Sequence, residues 1–377
     1  MRRVLVYRNE LLPASETFIA AQASALRRYD AWFAGLRRVT NGIDLNKARV
    51  IAATGTGGLQ DKLLRRLYLT SGYAPRFHQK LLSLEPALIH AHFAVDGCTA
   101  LRLQKKLRAP LIVTLHGYDV TSSDESLRGT ALGRAYLGRR KQLWERACLF
   151  ICVSEHIRQQ ALRCGFPEHK LWVHPVGIDL RFCGAVVPCD RPPTVLFVGR
   201  LVEKKGCIHL IRAMAMVSAS LDGAQLVVIG DGPLRATLER EARARLRNAV
   251  FLGAQPAGVV RSWMERARML AAPSVVAKNG DAEGLPTVLC EAQAMGLPIV
   301  AFRGPGVLEA VIGGETAFLV DPLDEEGLAV AIIRLAQAPQ LQARLGAAGR
   351  RHAERHFDLQ KQTALLEDKY DEVLVRR

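Results

Sequence analysis

AQLVVIGDGPLRATLEREARARLRNAVFLG, residues 224–253, decides the fold. An apolar run at 224–231 ends in a tight turn at Gly230 and Gly232. A helical pattern over about 233–246 follows, then a second apolar run at 249–253. Strand, helix and strand in such close order predict a parallel sheet covered by helices. The same alternation extends in both directions. Apolar runs at 4–7, 87–93, 110–117, 149–154, 194–200, 269–274 and 298–302 read as strands. Helical patterns at about 16–28, 97–108, 134–147, 206–219, 257–266, 286–295, 324–337 and 359–374 separate or follow them. The class is α/β, with two doubly wound Rossmann-like domains. The Pro-rich stretch GAVVPCDRPPT, 184–194, reads as the linker. It divides a domain over 1–185 from one over 194–358. Ligands of such sheets bind at the carboxyl ends of the strands, and two facing domains would share a cleft there.

Composition narrows the function. With 377 residues, two domains are expected. No apolar run approaches the ~18–20 residues that span a bilayer. The opening MRRVLVYRNELLP has too short an apolar core for a signal peptide and reads as a first strand. The eight cysteines form no C-x-x-C pair, so a reduced cytoplasm is expected. The net charge is +16, and it is uneven: residues 1–190 hold 28 Lys and Arg against 15 Asp and Glu. That excess points to an anionic partner. Basic and apolar residues interleave in KLLRRLYL, 62–69, RFHQKLL, 76–82, LRLQKKLR, 101–108, and RAYLGRRKQLWER, 134–146. Such segments suit an anionic membrane surface or simply solvated helix faces. Aromatic residues are only 6% of the chain, too few for base-stacking platforms, so no nucleic-acid partner is expected.

Two motifs carry chemistry. In VGRLVEKKG, 198–206, a strand end offers Arg200, Lys204 and Lys205 just before a helix. Cations beside free backbone N–H groups make an anion site. In EGLPTVLCE, 283–291, Pro286 suits a first helical position and Gly296 the position past the helix end. The N–H groups near Leu285 and Thr287 favour an anion. Glu283 and Glu291 would repel that anion, so they are expected to accept hydroxyl groups. Phosphate and hydroxyls together describe a nucleotide sugar. Other motifs fail on detail. Gly230 and Gly232 lack the third glycine of a dinucleotide turn, and Gly55, Gly57 and Gly58 lack the Lys-Ser/Thr of a P-loop. His90, His92 and His116 have no carboxylate at ligand spacing, and Asp281-x-Glu283 sits in the 283–291 entry loop. Neither a metal nor another cofactor is expected.

The segments LFVGRLVEKKG, VVIGDGPLR, VFLGAQ, NGDAEGLPTVLCEAQAMGLPIVA and TAFLVDP, in this order over about 194–322, resemble the family-four retaining glycosyltransferases of the GT-B fold. SETFIAAQ, IHAHF, VTLHGYD and HPVGID make the first half similar to exopolysaccharide members of the colanic acid and amylovoran type. The resemblance implies a metal-independent hexosyltransferase with front-face attack and retention. Arg200 and Lys205 would grip the donor diphosphate, and Gly284, Leu285 and Thr287 would meet its phosphates. Glu283 would contact the donor sugar, Glu291 the ribose, and His116 the sugar from the first domain. Ser15, Glu16 and Thr17 would lie in the loop that closes on donor and acceptor. The C-terminal helix, about 359–377, would cross back to the first domain. A saccharide acceptor, linked to polyprenyl diphosphate, would place the protein at the inner face of the plasma membrane. The chain departs from the family at Pro286, where many relatives have glycine, and in RGPGVLEAV, 303–311, which lacks a pair of adjacent glycines. A nucleotide-sugar epimerase of the same fold shares this donor-site chemistry, and the altered 303–311 segment leaves open a silent nucleotide-sugar-binding partner.

Overall fold

In the computed structural model, residues 1–377 are described apart from 41, 46, 56–57, 183–192 and 376–377. Most of the expected linker, Gly57 and the last two residues of the C-terminal helix lie outside the described residues. The chain divides into two compact units, Met1–Gly177 with Leu359–Arg377, and Ile178–Asp358.

The first unit is built on β1 (Arg2–Tyr7), β2 (Glu10–Leu11), β3 (Tyr29–Arg38), β4 (Val50–Thr54), β5 (Leu88–His92), β6 (Leu111–Leu115), β7 (Leu149–Cys152) and β8 (Leu171–Val173). Their order is β2-β3-β1-β5-β6-β7-β8, with β4 also on β3. The second unit holds β9 (Thr194–Val198), β10 (Gln225–Ile229), β11 (Ala249–Gly253), β12 (Met269–Ala272), β13 (Ile299–Phe302) and β14 (Phe318–Val320), ordered β11-β10-β9-β12-β13-β14. All these ladders are parallel. The strand order reverses between β1 and β5 in one unit and between β9 and β12 in the other. Loops diverge at such a switch point and leave a crevice at the strands' carboxyl ends.

The central strands are apolar on both faces because helices cover both. Val195, Phe197, Leu226 and Val228 pack with Leu210, Ile211, Met214, Ile332 and Leu335. Val4, Val6, Ile19 and Tyr29 pack with Leu366 and Tyr370 of the terminal helix Leu359–Val375. That helix is fixed by polar bonds as well. The Tyr370 hydroxyl lies 2.6 Å from His90 Nδ1. Glu367 Oε1 accepts the backbone N–H groups of Arg27, Arg28 and Tyr29, at 2.9, 2.6 and 3.2 Å. Arg27 and Arg28 immediately precede β3, and Tyr29 begins it.

The structure adds β2, β3, β4, β8 and β14 to the expected strands, and the pattern of β3 is masked by Asp30 and Gly35. Gly35 is there for space: a Cβ would stand 2.2 Å from the Arg8 carbonyl oxygen. It also moves Pro286 out of the first helical position. The helix is Thr287–Ala294, and Pro286 caps it in an extended conformation. Gly296, at φ +64°, closes that helix, with Gly296 N–H on Gln293 O and Leu297 N–H on Ala292 O, both 2.9 Å.

Replacing Glu367 by Ala leaves three backbone donors without their acceptor. We expect it to cost about 1–3 kcal/mol, measured as a lower urea midpoint of the full chain. A wild-type midpoint would show that the helix is held by its apolar face alone.

Candidate functional sites at the two switch points

In the second unit the loop after β9 folds onto the loop after β12. Gly206 adopts φ +64°, and a Cβ there would sit 1.8 Å from the Pro273 carbonyl oxygen. Val275 N–H bonds Lys204 O at 2.8 Å. This contact aligns two lysines with two carboxylates. Lys204 Nζ lies 2.9 Å from Asp281 Oδ1, and Lys205 Nζ lies 2.7 Å from Glu283 Oε1. Ser274 Oγ donates to the same Glu283 oxygen at 3.0 Å. Glu283 is buried. Burial pushes its carboxyl up, but Lys205 and Lys204 outweigh that and hold it below its ordinary range. It is therefore ionised, and among the described residues its Oε2 has no hydrogen-bond partner.

The other expected residues lie on the loops after β9 and β12 and on the helix Thr287–Ala294. Arg200 is exposed and makes no side-chain hydrogen bond or ion pair within the described residues. Gly284 and Leu285 are buried, and Thr287 is half-buried. The N–H groups of Leu285, Thr287 and Val288 meet no acceptor among the described residues. Gly306 lets the helix Pro305–Ala310 press on this loop, since a Cβ would come 2.5 Å from Glu283 O and 2.7 Å from Gly284 O. The unusual segment 303–311 thus buttresses the 283–284 backbone, and Leu308 points outward, exposed. Glu291, one turn into its helix, makes no side-chain bond among the described residues. Burial raises its pKa to about 7 against a small opposing effect of Arg261. Ser274 completes the site without having stood out in sequence, and Lys204 and Asp281, each noted in its own motif, meet as an ion pair.

In the first unit, the loops after β1 and β5 are clamped by Arg8. Its Nε and Nη2 donate to Glu16 Oε2 and Oε1 at 2.8 and 2.5 Å, and its Nη1 donates to Asp96. Asn9 adds its backbone N–H and side-chain amide to Asp96, at 2.8 and 2.7 Å. The guanidinium stands 4.3 Å from the centre of the Phe93 ring. Glu16 is thus an anchor of its loop, with both oxygens engaged by Arg8, while Ser15 is exposed and Thr17 half-buried. His116 lies between Phe18 and Phe93, with ring centres 5.0 and 4.6 Å away, and its Nε2 is 3.0 Å from His92 Nδ1. Burial, with Arg8 and His90 adding to it, pushes His116 well below its ordinary pKa. It is a neutral hydrogen-bonding group at pH 7. His90 is structural, bonded to Tyr370 and to Thr114 Oγ1 at 2.7 Å.

Glu291 gives a sign-definite test. Its folded pKa, about 7, lies above the ordinary value of 4.5. Between these values the folded chain holds the extra proton, so this group's contribution falls as pH rises and is lost above about 7. Glu291→Gln should melt close to wild type at pH 4.5 and several degrees above it at pH 8. A constant difference across that range would mean that Glu291 is not desolvated.

Residues 54–182 match the model described as Glycosyltransferase Family 4, and residues 187–352 match Glycosyl transferases group 1. The putative colanic acid biosynthesis glycosyltransferase WcaL of Salmonella typhimurium is 29% identical over 63% of this chain and 59% of its own. The putative teichuronic acid biosynthesis glycosyltransferase TuaC of Bacillus subtilis is 30% identical over 68% of this chain and 62% of its own. These alignments span about three fifths of each relative. Among solved structures, Anabaena HepE in complex with UDP and glucose superposes with a TM-score of 0.76 at 19% identity, covering 99% of this chain and all of HepE. The chain belongs to the glycosyltransferases, with a family 4 domain followed by a group 1 domain in the GT-B fold.

Proposed function

We propose that the protein is a retaining, metal-independent glycosyltransferase. It moves a hexose from a nucleoside diphosphate sugar to a saccharide acceptor in the synthesis of an exopolysaccharide or cell-surface polysaccharide. The observation that carries this reading is the Lys205–Glu283 pair beside unpaired helix N–H groups, with Arg200 and Glu291 unengaged. The barrier is departure of the diphosphate. Arg200, Lys205 and the N–H groups of Leu285 and Thr287 stabilise its growing charge, with Gly284 keeping the loop close to it. The bond from C1 to the diphosphate oxygen breaks while C1 bonds the acceptor oxygen on the same face. The acceptor's proton passes to the leaving phosphate. Glu283 accepts sugar hydroxyls, Glu291 accepts those of the ribose, and neutral His116 hydrogen-bonds the transferred sugar. Ser15 and Thr17, on the loop anchored through Glu16, face the acceptor.

UDP is the first nucleotide to try, because HepE is described with UDP and glucose. At ~100 times its dissociation constant a bound nucleotide adds ~2.7 kcal/mol. A melting shift with one nucleoside diphosphate among UDP, GDP and ADP is expected. With the matching sugar donor, Lys205→Ala and Glu283→Gln should each retain under about 1% of wild-type transfer, since one preorganised contact is worth ~2.7–4 kcal/mol. Wild-type turnover in either variant would remove that residue from the mechanism. Release of a new sugar without acceptor would favour an epimerase.

The acceptor is assigned to a polyprenyl-diphosphate-linked saccharide at the cytoplasmic face of a membrane. No helix among the described residues is long and apolar enough to cross one. The helix Leu59–Ser71 instead exposes a leucine stripe: Leu59 is 85% and Leu63 69% exposed, and Leu64 and Leu67 continue it. Lys62, Arg65 and Arg66 stand on the same helix. A basic helix with an uncovered apolar stripe suits an anionic bilayer. The full chain should sediment with vesicles rich in phosphatidylglycerol, and Leu63→Ser with Leu67→Ser should lower that binding at least tenfold. Equal binding by the double variant would move the membrane contact elsewhere.

A further inference from the structure

Only Phe93 stands between β5 and the helix Ala94–Leu107. One residue therefore serves both elements. Its N–H donates to the Thr114 carbonyl oxygen at 2.7 Å, which extends the sheet towards β6. Its carbonyl oxygen accepts Asp96 N–H and Gly97 N–H at 3.1 and 2.9 Å, which starts the helix. Ala94 N–H, next in the chain, donates to Asp119 Oδ2 at 2.9 Å. The turn closes with Phe93 at φ +70° and ψ +137°.

A residue with a side chain that takes a positive φ ordinarily does so in the left-handed helical region. Glu85 and Arg108 stand there, each ending a helix, at ψ 57° and 34°. Phe93 lies well outside it, next to the extended positive-φ region that is essentially reserved for glycine. Strain of this kind persists only where the surroundings impose it, and it gathers at functional sites. Glycine at 93 would relieve it. The chain carries a phenyl ring there instead.

That ring touches the groups around His116. Its centre lies 4.6 Å from the His116 ring, 5.1 Å from the Tyr118 ring and 4.3 Å from the Arg8 guanidinium. Phe18, on the helix Thr17–Ala25, is a second ring against His116, at 5.0 Å. His92 Nδ1 lies 3.0 Å from His116 Nε2. Two rings thus limit the tilt of the imidazole, and His92 limits its rotation. His116 Nδ1 makes no hydrogen bond among the described residues. Phe93 itself is only 9% exposed, so its ring is occupied by these contacts and has little face to offer a ligand.

We propose that Phe93 is a positioning residue for transfer: its strained turn holds the ring against His116 and fixes the imidazole in the orientation that hydrogen-bonds the transferred sugar. This role rests on the reading of His116 given under the proposed function. A misplaced contact at the reacting sugar costs rate even where binding is kept.

Leucine at 93 keeps the strain and most of the apolar bulk and loses the flat ring. Release of UDP from UDP-glucose, or of the matching nucleotide from whichever donor the melting shift selects, is measured with the full chain. Phe93→Leu should lower kcat at least tenfold, keep the donor KM within threefold and leave the melting shift with the nucleoside diphosphate unchanged. In a His116→Ala background the same substitution should lower kcat no more than twofold further, because a residue that acts through His116 then has nothing to act on. The strain has its own readout. Glycine is ordinarily the less stable choice beside alanine. At 93 the order should reverse, with Phe93→Gly melting about 2 °C or more above Phe93→Ala. Phe93→Ala melting above Phe93→Gly would show a relaxed turn and overturn the strained positioning. Wild-type kcat in Phe93→Leu, with His116→Ala impaired, would overturn the role of Phe93 alone. A tenfold loss that persists in full in the His116→Ala background would overturn it too, since the ring would then act on another group. Wild-type turnover in His116→Ala would remove His116 from the proposed function, and the role of Phe93 with it.

Discussion

The second unit turns on one buried contact, Lys205 against Glu283 at 2.7 Å. An unpaired carboxylate at this depth would neutralise itself rather than stay charged. Lys205 and Lys204 keep it ionised, and in doing so they tie the loop after β9 to the loop after β12. Gly206 is required for the same reason, since a side chain there would push the loops apart at the Pro273 carbonyl. Gly306 serves from the far side by letting the helix Pro305–Ala310 support the 283–284 backbone. Three local demands thus converge on the position of one carboxylate.

The first unit reaches the same solution with other residues. Arg8 follows β1 and Asp96 follows β5, the two strands that flank its switch point. Their pairing closes that crevice's base as Lys205 and Glu283 do in the second unit. The choice of arginine is explained by the number of bonds to be made. Arg8 binds Glu16 through two nitrogens and Asp96 through a third. Its planar fork suits bidentate carboxylate contacts, and it cannot lose its proton when buried. Lysine at 205 has a different task, because its single ammonium can change partner by rotating one stem.

The strands that alternate apolar runs with helices were plain in sequence, as were the 283–291 motif and the Gly296 helix end. What stayed hidden shares a cause: each residue's role depends on something distant in the chain. Arg8, Asn9 and Asp96 are unremarkable locally, and only the β1–β5 adjacency brings them together. Glu16 stood in a promising loop motif, yet the fold engages its carboxylate with Arg8. Pro286 fits two neighbouring helix positions equally well by composition. β3 was obscured by Gly35, a residue chosen for the closeness of the Arg8 carbonyl rather than for strand propensity. Gln104 and Arg146 are 42 residues apart and meet through one hydrogen bond, from the Gln104 side-chain amide to the Arg146 carbonyl.

The Lys205–Glu283 pairing also bears on the proposed mechanism. There, a diphosphate that draws Lys205 away would leave Glu283 buried with fewer compensating bonds. Breaking a buried pair by removing one partner costs about 3–5 kcal/mol. Ser274 and Lys204 offset part of that, but Glu283 still needs new donors. A free nucleoside diphosphate brings no sugar hydroxyls to that carboxylate, whereas a nucleotide sugar brings them with the phosphates. In the proposed mechanism the exchange would therefore favour the complete donor over its product. Once the sugar had left, Glu283 would again be short of donors and would compete for Lys205. The ion pair that ties the two loops together would thus weaken the grip on the spent nucleotide, which turnover requires.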